Sequence, residues 1–168
     1  MTRAFAVFAL IFTGALSAAH AGRAGAFSQG STRVSALLGS GSFAGSRNVI
    51  VGADVGYFVL DGLQLSVEGD VWLGNTSLAR LSPAVTYTFV MLPTEFIPYA
   101  GVFYRRWIVE SPFEDLDTVG IRGGVNLSQR DNLYLGVGAA YESRVRPECD
   151  VGDDCDFFYP ELTLAFAF

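Results

Sequence analysis

From Phe158 to the end of the chain every second position is apolar or proline: Phe158, Pro160, Leu162, Leu164, Phe166 and Phe168. The residues between them include Glu161, Thr163 and two alanines. A period of two predicts a strand with one greasy face. The same alternation recurs upstream. Val49, Val51, Ala53, Val55, Tyr57 and Val59 alternate with Ile50, Gly52, Asp54, Gly56 and Phe58, and Asp61-Gly62 follows as a tight hairpin signal. The next strand sets Leu63, Leu65, Val67, Val71 and Leu73 against Gln64, Ser66, Glu68, Asp70 and Trp72. Leu81 to Met91 alternates again, then Leu92-Pro93-Thr94-Glu95 turns the chain.

Four further segments complete the count. Thr32 to Ser42 is a first strand with neither face cleanly apolar, preceded by a small, polar stretch, Gly22 to Gly30, that reads as a lead-in. Phe96 to Ile108 carries apolar residues on both faces and two adjacent arginines; its outward set is expected to be Tyr99, Phe103 and Trp107. Thr118 to Leu127 and Leu133 to Glu142 alternate around a turn at 128–132. With the terminal strand there are eight, joined by short connections after the second, fourth and sixth and by longer acidic loops at 109–117 and 143–156.

Eight strands also suit a soluble secreted ligand-binding barrel, so the chemistry of each face decides. One face is nearly free of charge from end to end, while the other carries Asp54, Glu68, Asp70, Arg80, Arg122, Glu142 and Glu161 among glycines and threonines. That division fits lipid outside and a polar lumen: an all-β, eight-stranded antiparallel up-and-down transmembrane β-barrel. The pattern resembles the small outer-membrane barrels of the OmpA and OmpX type across nearly all of residues 22–168. The final strand, with Leu162, Leu164, Phe166 and Phe168, is similar to the C-terminal strand through which such barrels are recognised by the barrel-assembly machinery. The resemblance implies both chain ends on the periplasmic side and a monomer in the cell outer membrane, with the lipid bilayer and lipopolysaccharide as partners. Tyr57, Tyr87, Phe89, Phe96 and Tyr99, near the short turns, are candidates for an aromatic girdle.

The N-terminus agrees. Arg3 precedes an apolar run from Ala4 to Leu16, and Ala19-His20-Ala21 follows, the pattern of a secretory signal peptide spanning 1–21. That run is shorter than the roughly 20 residues a membrane helix needs. About half of the residues are apolar (51%) and 14% are aromatic, a greasy composition for a chain in which no later segment could form a membrane helix. The net charge of −6, with every basic residue an arginine, speaks against nucleic-acid binding.

Eight strands leave an interior just wide enough for side chains. The lumen acids are therefore expected to pair with Arg80, Arg122 and one of Arg105 or Arg106, with Gly52, Gly56, Gly120, Gly124, Gly136 and Gly138 providing room. A satisfied polar plug is the first reading and a narrow gated path for ions or small solutes the second. Barrel enzymes of similar fold use a histidine base, and the single histidine here is His20, inside the predicted signal peptide; carboxylate-only chemistry by a pair such as Glu68 and Asp70 is the remaining catalytic option. No cofactor is indicated. Cys149 and Cys155 are close enough in sequence to bridge in an exported chain, closing a lobe in which Asp150, Asp153 and Asp154 are weak candidates for a divalent cation. Whichever of Arg105 and Arg106 faces outward would stand at the outer rim, where lipopolysaccharide phosphates suit a guanidinium.

Overall fold

A computed structural model of the chain describes residues 25–43, 46–74, 78–90, 96–109, 115–130, 132–146 and 155–168. The predicted signal peptide, the turn at Leu92–Glu95, Cys149 and the acidic residues Asp150, Asp153 and Asp154 lie outside them. All regular structure in the described residues is β: β1 (Thr32–Phe43), β2 (Ser46–Leu60), β3 (Leu63–Leu73), β4 (Leu78–Thr88), β5 (Phe96–Val109), β6 (Leu116–Arg130), β7 (Leu133–Arg146) and β8 (Asp156–Ala167). Each strand pairs antiparallel with the next, and β8 returns to β1, closing the sheet into a barrel with no free edge. The seam continues past the ladder: the Thr32 amide donates to the Phe168 carbonyl at 3.0 Å and the Phe168 amide donates back at 2.8 Å.

Face assignment follows the alternation. On β3, Leu65, Val67, Val71 and Leu73 are exposed while Gln64, Glu68, Asp70 and Trp72 are buried. On β8, Leu162, Leu164 and Phe166 point out, and Tyr159, Glu161, Thr163, Ala165 and Ala167 point in. The result is an apolar outer wall far larger than the few hundred Å² that soluble monomers tolerate. No described helix is long and apolar enough to cross a membrane, and this wall crosses with strands instead.

Strand five is the main correction. Tyr99, Phe103 and Trp107 face inward, at 8%, 4% and 0% exposure, and Val102, Tyr104, Arg106 and Ile108 form the outer row. Its own sequence cannot decide, because both rows are apolar; the decision lies in its partners. Phe103 sits opposite Ala84 on β4 and Gly120 on β6, and Tyr99 opposite Gly124. A Cβ at Gly120 would strike the Phe103 ring, and one at Gly124 or Gly138 would strike the Tyr99 hydroxyl. The lumen glycines thus make room for inward aromatic rings as well as for charges. Tyr99 consequently leaves the girdle, whereas Tyr57, Tyr87, Phe89 and Phe96 remain exposed, with the Tyr87 and Phe89 rings edge to face at 5.0 Å.

Three boundaries also move. β4 stops at Thr88, short of Met91, because the Thr88 amide already donates to the Gly62 carbonyl in the hairpin turn between β2 and β3, and a longer strand would have no neighbour on that side. The seven residues 89–95 then connect to β5. β6 runs on to Arg130 and bulges after Ser128, shortening the following turn to two residues. β7 continues to Arg146 beside the extended start of β6, so the last loop shrinks to 147–155.

The N-terminal stretch is no loose lead-in. Residues 25–30 fold as a turn into one mouth of the barrel, burying Ala26 and Phe27 completely or nearly so. Phe27 meets the Phe58 ring at 5.8 Å and the Tyr134 ring at 4.8 Å, forming an aromatic layer with Ala165 and Ala167. A second apolar layer, built on Trp72, Trp107, Tyr159 and Phe157, fills the other half.

Candidate functional site in the barrel lumen

Between those layers the inward rows of all eight strands bring ionisable side chains to the barrel axis. Alternation puts Arg33 and Asp54 inside from β1 and β2, Glu68 and Asp70 from β3, Arg80 from β4, Arg105 from β5, Arg122 from β6, Glu142 from β7 and Glu161 from β8. Glycine at Gly120, Gly124, Gly136 and Gly138 on the facing rows keeps the space open.

Seven of these groups form one chain of alternating charge. Asp70 accepts from Arg80 Nε at 2.7 Å; Arg80 Nη1 reaches Glu142 at 3.3 Å; Glu142 accepts from Arg105 Nη1 at 3.3 Å. Arg105 Nη2 then donates to Glu68 at 2.6 Å, Glu68 accepts from Arg122 at 2.6 Å, and Arg122 Nη2 lies 3.6 Å from Glu161. Every carboxylate but those at the two ends lies between two guanidiniums. That arrangement is what a low-dielectric interior demands, because a single uncompensated ion there costs several kcal/mol.

Neutral groups and rings complete the packing. Arg105 Nε donates to Ser82 Oγ at 2.5 Å, its Nη1 donates to the Tyr159 hydroxyl, and Glu142 also accepts from Thr118 Oγ1 at 2.7 Å. The Arg80 guanidinium lies over Trp72 (4.6 Å) and Trp107 (4.9 Å), and Phe103 is flanked by Arg105 at 4.4 Å and Arg122 at 4.8 Å. Cation–π attraction therefore holds the planar cations where carboxylates do not reach, and it explains why β5 turns its aromatic residues inward.

Of the residues expected in the lumen network, Glu68, Asp70, Arg80, Arg122, Glu142 and Glu161 join this chain, and Arg105 rather than Arg106 is the β5 member. Asp54 stands apart. It accepts from Ser35 Oγ at 2.9 Å and interacts electrostatically with Arg33 rather than entering the ladder. Sequence reasoning missed Arg33, because strand one has no clean apolar face against which to read its parity, and it missed Tyr159 as a polar contact of the terminal strand. The period-two rule extended back from Ala165 marks Tyr159 as inward, so that signal was present.

Arg106 faces outward and pairs with Asp115 and Asp117, each at 3.2 Å. Cys155 stands just before β8, its carbonyl accepting from the Arg144 amide at 2.8 Å; the pairing with Cys149 falls outside the described residues. Among the described residues no group of three or more acidic, histidine or cysteine side chains could hold a metal ion.

A closed eight-stranded barrel with a lipid-compatible wall and a charged, filled lumen defines the class of small outer-membrane β-barrels by fold. No protein-family model matches the sequence, and no curated protein matches it either. Solved structures do. The N-terminal β-barrel domain of OprF from Pseudomonas aeruginosa superposes with a TM-score of 0.66 at 16% identity, covering 83% of this chain and 98% of that one. Neisserial surface protein A gives 0.62 at 16% identity, covering 82% and 96%. The outer membrane protein OprG from Pseudomonas aeruginosa gives 0.53 at 11% identity, covering 84% and 97%. At these identities the likeness is one of fold.

Proposed function

We propose that the chain is exported by a cleaved leader of residues 1–21 and resides in the outer membrane as a closed, monomeric barrel with a structural or surface-interaction role, supporting the envelope or adhesion. The observation that carries this reading is the Asp70–Arg80–Glu142–Arg105–Glu68–Arg122–Glu161 ladder, which crosses the lumen with its interior members paired on both sides. Opening a path would require parting buried ion pairs, each costing about 3–5 kcal/mol when one partner is left behind. The barrel is then a rigid carrier for its surface loops, with acyl chains against the wall and lipopolysaccharide around the rim. No catalytic role is assigned, since residues 22–168 contain no histidine and the acids Glu68 and Asp70 are engaged by arginines.

The test is conductance in a planar lipid bilayer. The native barrel is expected to give no steady current. Regular ohmic steps at modest voltage would instead favour the second reading, a narrow gated pore for ions or small solutes. That alternative draws on the small polar space beneath the ladder.

A further inference from the structure

Below the ladder the lumen is not completely filled. A cavity of about 30 Å³ remains, lined by Arg33, Asp54, Gln64, Arg122, Glu161 and Thr163 among others. It has room for about two water molecules. Its lining is unusual in how many buried polar atoms lack a hydrogen-bond partner: Arg33 Nε, Gln64 Nε2, Arg122 Nε and Nη2, both Glu161 carboxylate oxygens and Thr163 Oγ1. Arg33, Gln64, Glu161 and Thr163 are all at least nine-tenths buried. Donors and acceptors are interleaved around one space, so the guest they fit must both give and take hydrogen bonds, as water does. Such groups left dry would each cost about 1–3 kcal/mol.

Beneath this chamber lies the turn of residues 25–31. Thr163 and Ala165 are successive inward positions of β8, and Gln64 pairs with Phe58 across the β2–β3 sheet, so the Phe27 layer is the next inward level below the chamber's lining. The inward residues of β8 shrink there to Ala165 and Ala167; Phe27 fills the gap they leave between Phe58 and Tyr134. The turn is tethered through β1 and tied to the β2–β3 end by four hydrogen bonds, Gly62 N to the Phe27 carbonyl and Gly30 N to the Phe58 carbonyl, both 2.8 Å, Phe58 N to the Ser31 carbonyl at 2.9 Å and Gln29 N to Asp61 Oδ1 at 2.8 Å. Its junction with β1 is a glycine at positive φ, Gly30 at 92°, a conformation that lets the turn fold back across the mouth.

We infer that the lumen is a hydrated half-channel: a chamber at Glu161 that takes water, closed toward the periplasm by the Phe27 turn acting as a door and sealed on the outer side by the Arg105–Glu68–Glu142 crossing. The inference rests on the closed-lumen reading above, but it fails separately. Ser66, a half-buried lining residue outside the ladder, supplies the reporter. In a Cys149→Ser/Cys155→Ser background, Ser66→Cys is folded in detergent micelles and exposed to the small cation 2-aminoethyl methanethiosulfonate. Labelling is expected to be slow, and Phe27→Ala to accelerate it about tenfold by raising the population of the open floor. Phe27→Leu should fall between the two, and Ala165→Phe added to Phe27→Ala should slow labelling again by refilling the seat. Equal rates with and without Phe27, whether both slow or both fast, would overturn the door. Should Phe27→Ala not fold, judged by loss of the heat-shifted gel band, the Leu variant carries the same comparison. Conductance of the Phe27→Ala barrel should stay at baseline; steady current through it would overturn the outer seal, and with it the closed lumen, independently of the labelling result.

Discussion

Arg105 and Arg106 are neighbours in sequence with opposite fates. Arg105 is fully buried, bonded to Glu68, Glu142, Ser82 and Tyr159, whereas Arg106 stands half exposed against Asp115 and Asp117. Removing Arg105 takes one of the two guanidiniums from each of two buried carboxylates, so Arg105→Ala should lower the stability of the folded barrel by about 3–5 kcal/mol in urea titrations from lipid vesicles. Arg106→Ala removes an exposed pairing and should cost at most about 1 kcal/mol. Equal losses would contradict the assignment of inside and outside on β5. The acids and arginines of the lumen were legible in the sequence because strands β2, β3 and β8 alternate cleanly enough to fix their parity. Arg33 and Asp54 show the limit: strand one offers no apolar face to read Arg33 by, and although the parity of Asp54 is plain, a pattern says nothing of which partner it meets across the lumen.

Strand five was legible in its extent and not in its orientation. Its start matched to the residue, because the alternating run opens at Phe96 after a proline-containing turn. Its facing rows both read as apolar, and the glycines on β6 and β7, Ala84 on β4 and the guanidiniums stacked on Phe103 and Trp107 decide which row goes inside. One optical measurement separates the two orientations. Both tryptophans, Trp72 and Trp107, are buried in the lumen at no more than 1% exposure. Their fluorescence should be nearly insensitive to lipids brominated along the acyl chains, while an added Val102→Trp, on the outer row, should be strongly quenched. Strong quenching of the native fluorescence would return Trp107 to the lipid side. The terminal strand had the reverse character. Its faces were plain from alternation alone, but its role in closure appears only with β1 beside it, where Thr32 and Phe168 exchange two backbone bonds. Deleting Phe168 removes both of those bonds along with the terminal apolar side chain; the variant should reach the outer membrane in a smaller folded fraction, read as the ratio of heat-shifted to unshifted bands. An unchanged ratio would contradict a role for the last residue in assembly.

For the molecule as a whole, the fold follows from one inversion of the usual rule: large apolar side chains outside, charge within. Eight strands supply enough inward positions to fill the interior with ion pairs, rings and glycine-made space, leaving a small chamber near the N-terminal turn. That inversion makes the barrel dependent on an amphiphile. In water alone the wall of Leu65, Val67, Ile108, Ile121, Leu164 and their neighbours has nothing to cover it. The decisive measurement is refolding from urea, with and without lipid vesicles, followed by an unheated detergent gel. A compact band that shifts on boiling should form with vesicles, and aggregate or unfolded chain should result without them. A folded, soluble monomer in buffer free of lipid and detergent would contradict the account, because it would mean that the apolar face closes on itself and the charged face meets water.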